Sequence, residues 1–118
     1  MSNAVEIAIE LYAAAFQEPD AARRAALLEK CWAEDGRFVT GARVVRGREA
    51  LSAEMARFAN DPRGGRINML APVDVQGNLF RLRANAVYPD GTVSPESFDA
   101  GELGADGRIL TILTFRGP

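Results

Sequence analysis

The chain of 118 residues contains no histidine and one cysteine, Cys31. The first absence removes the commonest general base, the Ser–His and Cys–His nucleophilic dyads, and the commonest zinc ligand. The second excludes an internal disulfide and thiol-rich metal sites. Any chemistry must run on carboxylates, tyrosine, arginine or backbone groups, and neither a metal nor a cofactor is expected. A dominant charge is lacking too: 14 basic residues stand against 16 acidic ones, a formal charge of −2. The arginines are interleaved with acids, so no basic face invites nucleic acid as a partner. No apolar run approaches the roughly 20 residues that a bilayer span requires. The N-terminus has no basic region leading into an apolar stretch. No membrane partner is expected, and the cytoplasm is the expected compartment.

What is present is the composition of a globular domain, 47% hydrophobic and 25% charged, in a length that can close one core. No repeat, low-complexity segment or linker divides residues 1–118, so a single domain is expected.

The first half reads as helical. Val5, Ile9, Tyr12 and Phe16 form one apolar stripe, spaced four, three and four residues apart. "EPD" at 18–20 ends that helix, and Asp20 can cap the next. Ala21, Ala25, Leu28 and Trp32 make a second stripe, broken at Gly36. "RFVTG" and "RVVRG" read as a short strand pair. A third helix follows Gly47, with Leu51, Met55 and Phe58 as its stripe, and ends at the loop "DPRGG".

The second half reads as β-structure. "RINMLAPVDVQ", "NLFRLRANAVYP", "TVSPESFDAGEL" and "RILTILTF" are separated by turns at Gly77, Asp90–Gly91 and Asp106–Gly107. Asp-Gly pairs are strong hairpin signals. Helices segregated from an antiparallel meander make an α+β fold, with the helices covering one face of the sheet. The last strand carries large apolar groups on both faces. Its outer face therefore needs a cover, and a symmetric homodimer through the sheet is the expected one.

Two segments, "CWAEDGRFVTGARVVRGREAL" at 31–51 and "DAGELGADGRILTILTF" at 99–115, resemble the nuclear transport factor 2-like superfamily, in its SnoaL-like and ketosteroid-isomerase-like branch. The resemblance covers about Ile7 to Gly117. It implies a cone in which three N-terminal helices pack on a curved, mainly antiparallel sheet and enclose a pocket for a small, largely apolar molecule. Functions across this superfamily range from isomerases, cyclases and hydrolases to pure binding modules, so the fold alone assigns no activity.

Counted back from Asp106–Gly107–Arg108–Ile109, Asp99 matches the position where ketosteroid isomerases keep a protonated aspartic acid in their oxyanion hole. The isomerase's general base is an aspartate followed by proline. Here the corresponding dipeptide is Thr40–Gly41, and a threonine hydroxyl abstracts no carbon-bound proton near neutral pH without a base of its own. The Asp–Arg–Asp set of limonene-epoxide-hydrolase-like members also has no counterpart. The expected function is therefore a SnoaL-like binding domain. The alternative is an isomerase, cyclase or hydrolase in which Asp99 polarises a substrate carbonyl.

Strand alternation puts Ser97, Asp99, Gly101 and Leu103 on one face. Asp99 is the leading catalytic candidate, and Tyr12 the second donor. Phe16, Trp32, Thr40, Met55, Phe58 and Ser97 are the candidate pocket residues. Arg81 and Arg83 could clamp an anion through paired hydrogen bonds. They could instead pair with Asp99 and keep it ionised. Cys31 reads as an inert buried thiol.

Overall fold

Asn3 starts the first helix. Its side chain accepts a 2.8 Å hydrogen bond from the backbone N–H of Glu6, so one of the four unpaired N–H groups of a helix start is satisfied. The computed structural model describes residues 3–117 of the protein; Met1, Ser2 and Pro118, the ends of the expected domain, lie outside the described residues. Helix α1 spans Ala4–Phe16. Asp20 caps α2, Ala21–Cys31, through the N–H of Arg23. Gly47, at φ +87°, opens α3, Arg48–Ala59. A side chain at Gly47 would be strained in that conformation.

Seven strands form one mixed sheet in the order β2-β1-β7-β6-β5-β3, with β4 also on β5. Their ranges are β1 Trp32–Thr40, β2 Arg43–Arg46, β3 Arg66–Met69, β4 Asp74–Gln76, β5 Leu79–Val87, β6 Ser97–Leu103 and β7 Ile109–Arg116. All pairings are antiparallel except β1 with β7. The three helices pack on one side of this curved sheet, which is the α+β cone expected from the sequence.

Three boundaries differ from the sequence reading, each for a local reason. Trp32 does not close α2 but opens β1 in extended backbone, its N–H bonded to the Leu28 carbonyl. The indole is fully buried, and a side chain at Gly36 would come within 2.5 Å of its Nε1. The expected strand 66–76 breaks into β3 and β4 around Pro72, whose nitrogen has no hydrogen to give the ladder. The strand expected from Thr92 begins only at Ser97, after Pro95. Ahead of it Val93 makes a single isolated bridge with Val87.

The core lies between the helices and the concave face. Leu28, Trp32, Leu51, Met55, Ile109 and Ile112 are fully buried there. Arg24 is also buried and braces the helices, donating to Ser52 Oγ at 2.9 Å and to the Glu18 carbonyl at 2.6 Å. The convex face is different. Phe98 and Phe115 are cross-strand partners with ring centroids 6.3 Å apart. Leu113 lies between Ala100 of β6 and Val39 of β1. The outward apolar stripe anticipated for the last strand is thus continuous over three strands, and Phe115 is 63% exposed.

No helix among the described residues is long and apolar enough to cross a membrane.

Candidate functional site

The wide end of the cone holds a cavity of about 770 Å³ between α1, α3 and the concave sheet. That volume is in the range of small-molecule sites. Its walls are largely apolar: Ile9, Phe16, Phe38, Phe58, Ile67 and Leu82 all face it. Gln17 ties the end of α1 to the far edge of the sheet. Its Oε1 accepts from the Ile67 N–H at 3.1 Å, while its Nε2 donates to the Ala13 carbonyl. On the narrow side the cone is closed by close packing. A side chain at Gly101 would lie 2.5 Å from the Phe80 ring and 2.3 Å from the Thr111 carbonyl oxygen. The glycine lets that ring seat against the strand just beyond Asp99.

Asp99 is the buried acid of this cavity, 8% exposed. Strand pairing sets its neighbours: Leu82 lies opposite on β5 and Thr114 on β7. Its Oδ1 is buried and has no hydrogen-bond partner, and neither has Thr114 Oγ1. Burial pushes the carboxyl above its ordinary value, since a charge is poorly solvated there. The Thr114 hydroxyl and the charge of Arg116 oppose that push without reversing it. Burial thus shifts Asp99 toward the neutral carboxylic acid, the form that can donate a hydrogen bond.

Tyr12 enters the same cavity from α1. It stacks on Trp32 at 5.7 Å and 17°, and meets Phe16 edge-on at 5.3 Å. These contacts fix the ring. Burial above all raises its phenol well above the ordinary range, so the hydroxyl remains a donor. A phenol and a carboxyl thus line one cavity, and with Asp99 in its neutral form the two could donate to an oxygen acceptor or a developing oxyanion.

Charged groups occupy the rim. Glu54 is shared by Arg43, which donates to its Oε1, and Arg57 at 3.7 Å. Asp61 is held down to about 2 by its hydrogen bond with Arg63. Arg116, at the end of β7, lines the cavity and makes no ion pair among the described residues.

Among the residues singled out from sequence, Tyr12, Phe16, Thr40, Phe58, Ser97 and Asp99 line the cavity. Trp32 and Met55 do not: both are fully buried in the core behind it. Helical spacing identifies a buried stripe but cannot separate its packed part from its hollow part. Arg81 and Arg83 are placed on the outer face and cannot clamp an anion in the cavity. Arg81 pairs with Asp74 at 2.6 Å and Arg83 with Glu96 at 2.9 Å, so neither is the partner of Asp99. Cys31 is buried, with its thiol pushed up to about 12.

Sequence reasoning missed Thr114 and Arg116. The period-two alternation of β7 was available as a signal, because Ile112, Thr114 and Arg116 share a face. Apolar groups on both sides of that strand obscured it. No group of His, Cys, Asp or Glu residues suited to a metal ion occurs among the described residues.

No family model matches the chain, and no curated protein is similar to it in sequence. Solved structures are similar. A SnoaL-like family protein from Agrobacterium tumefaciens strain C58, provisionally called an isomerase, is 27% identical with a TM-score of 0.85. The match covers 98% of each chain. A SnoaL-like protein from Jannaschia sp. CCS1, provisionally called a polyketide cyclase, is 16% identical with a TM-score of 0.68, over 98% of this chain and 88% of that one. A protein with a ketosteroid isomerase-like fold from Catenulispora acidiphila DSM 44928, solved in complex with trimethylamine, is 17% identical. Its TM-score is 0.71, over 93% of this chain and 85% of that one. At such identities the last two speak for the fold alone.

Proposed function

We propose that this chain, a member of the nuclear transport factor 2-like superfamily, binds a small, largely apolar molecule whose oxygen acceptor is met by Asp99 and Tyr12. The observation that carries this reading is the unpartnered, buried Oδ1 of Asp99 in an apolar cavity. A buried polar atom without a partner costs about 1–3 kcal/mol. A ligand oxygen that accepts from the protonated carboxyl removes that cost.

Binding is the better reading than catalysis because the cavity lacks a free base. Thr40 stands where the resemblance puts the proton-abstracting aspartate. Of the other carboxylates there, Glu54 is engaged by arginines and Asp61 by Arg63. The convergence of two donors is the one feature that favours the catalytic alternative. An amine such as the one bound by the Catenulispora protein suits this cavity poorly, since guanidiniums stand at its rim.

Titration of the full chain with 1-tetralone, a neutral bicyclic ketone, tests the reading. Saturable binding of one ketone per chain is expected, weakened about fivefold or more in Asp99→Ala, which removes the donor and corresponds to loss of one hydrogen bond. Absence of saturable binding rejects it. Deuterium exchange next to the carbonyl, followed by NMR in heavy water, separates binding from enolisation. Acceleration by the protein would move the assignment to the catalytic alternative.

We also propose that the convex stripe of Val39, Leu113, Phe115 and Phe98 pairs with the same stripe of a second copy, in a homodimer through the sheet. Large exposed apolar patches mark interaction surfaces, and a self-complementary one suits a two-fold axis.

A further inference from the structure

The rim of the cavity carries three guanidiniums, Arg43, Arg57 and Arg116, against two carboxylates, Glu54 and Asp61. Their pairings are unequal. Arg43 and Arg57 converge on Glu54, and Asp61 is held by Arg63 from outside the cavity. Arg116 is left over, with no ion pair among the described residues.

The strand register fixes where that charge stands relative to the inner donors. On β7, Thr114 lies opposite Asp99 and Arg116 opposite Ser97. Two residues along a strand amount to about 7 Å. Arg116 is therefore one step nearer the mouth than Asp99, on the same concave face and against the same space. Leu82 of β5 stands level with Asp99, and Ala84 and Ser97 stand level with Arg116. From the inside outward the cavity thus presents Asp99 and Thr114 beside Leu82, and then Arg116 beside Ser97 and Ala84.

We propose that the molecule held by this cavity is an oxo-acid: a flat apolar body with a carbonyl oxygen at its inner end and a carboxylate at its outer end, received by Arg116. The inference rests on the cavity being a ligand site, and it adds the charge and polarity of the ligand. A carboxylate matches the planar fork of a guanidinium through two parallel hydrogen bonds. The two ends of the ligand would be set about one strand step apart. A neutral ketone would fill the inner part and leave Arg116 unused, while a cation would be repelled at the mouth.

The test compares the carboxylate 5-oxo-5,6,7,8-tetrahydronaphthalene-2-carboxylate with its methyl ester and with 1-tetralone, each titrated into the full chain at low salt. The carboxylate should bind about tenfold tighter than its ester or more, the lower end of the range of one hydrogen bond to a charged group. That advantage should disappear in Arg116→Gln and persist in part in Arg116→Lys. In the unmodified chain it should shrink as salt is added, because the mouth is exposed to solvent. Equal affinity for acid and ester overturns the proposal while leaving the ketone site standing. An advantage that survives Arg116→Gln overturns the assignment to Arg116. Failure of all three compounds to bind overturns the cavity reading, and this inference with it.

Discussion

Asp99 and Thr114 face each other across the β6–β7 ladder, and each presents a buried side-chain oxygen without a hydrogen-bond partner. Folded proteins rarely leave such groups unpaired. Two occur here on adjacent strands, both lining the same cavity, and under the proposed binding role a ligand's polar atom would repay their desolvation.

The protonation of Asp99 can be read from stability. Burial raises this carboxyl from its ordinary 3.8, so the folded chain holds the proton more tightly than the unfolded chain does. The stabilising contribution is complete below about pH 3.8 and is lost as pH rises through the folded-state pKa. Asp99→Asn cannot ionise. Its melting temperature relative to the unmodified chain should therefore become more favourable between about pH 3.5 and about pH 7. A difference that stays flat, or moves the other way, contradicts a raised pKa.

Cys31 should be inert. Its thiol is buried and pushed up to about 12 by desolvation, and only the thiolate is a nucleophile. A disulfide reagent at about pH 8 should label it no faster than the chain unfolds. Rapid labelling of the folded protein would show that the core around α2 opens locally.

Gly101→Ala should be costly although the new group is one methyl. Its Cβ would stand 2.3 Å from the Thr111 carbonyl oxygen and 2.5 Å from the Phe80 ring. Part of the obstacle is backbone, which cannot rotate away. A loss toward the upper end of the about 1–3 kcal/mol typical of overpacking is expected in denaturant melts. A variant as stable as the parent would place that ring elsewhere.

Phe115→Arg probes the convex face. Phe115 is exposed in the single chain, so the change should alter the stability of an isolated chain by no more than about 0.5 kcal/mol. Sedimentation of the unmodified protein at micromolar concentration should give twice the mass of one chain, and the variant the mass of one. A single-chain mass for the unmodified protein removes the dimer.

Much of this architecture was legible in local chemistry. The cap at Asp20, the breaker at Pro19 and the turn at Asp106–Gly107 act on neighbours within four residues, and each helix stripe has its own period. The sequence by itself also determined which chemistry is closed to the protein, since a chain without histidine and with one cysteine cannot assemble the sites those residues build. The alternation of β6 placed Ser97 and Asp99 on one face before any partner strand was known.

Only the tertiary structure decided which face that was and what lay beside it. Arg81 and Arg83 are good candidates for an anion clamp or for partners of Asp99 when their strand is read alone. The sheet turns them outward to Asp74 and Glu96. Thr114 and Arg116 gain their meaning from register, because β6 pairs with β7 so that Asp99 meets Thr114 and Ser97 meets Arg116. Trp32 and Met55 share stripes with cavity residues but fill the core behind it. Periodicity is a property of one element and reports which side is buried. Whether that side meets another side chain or an open hollow depends on several elements at once, and no single stretch of sequence contains that information.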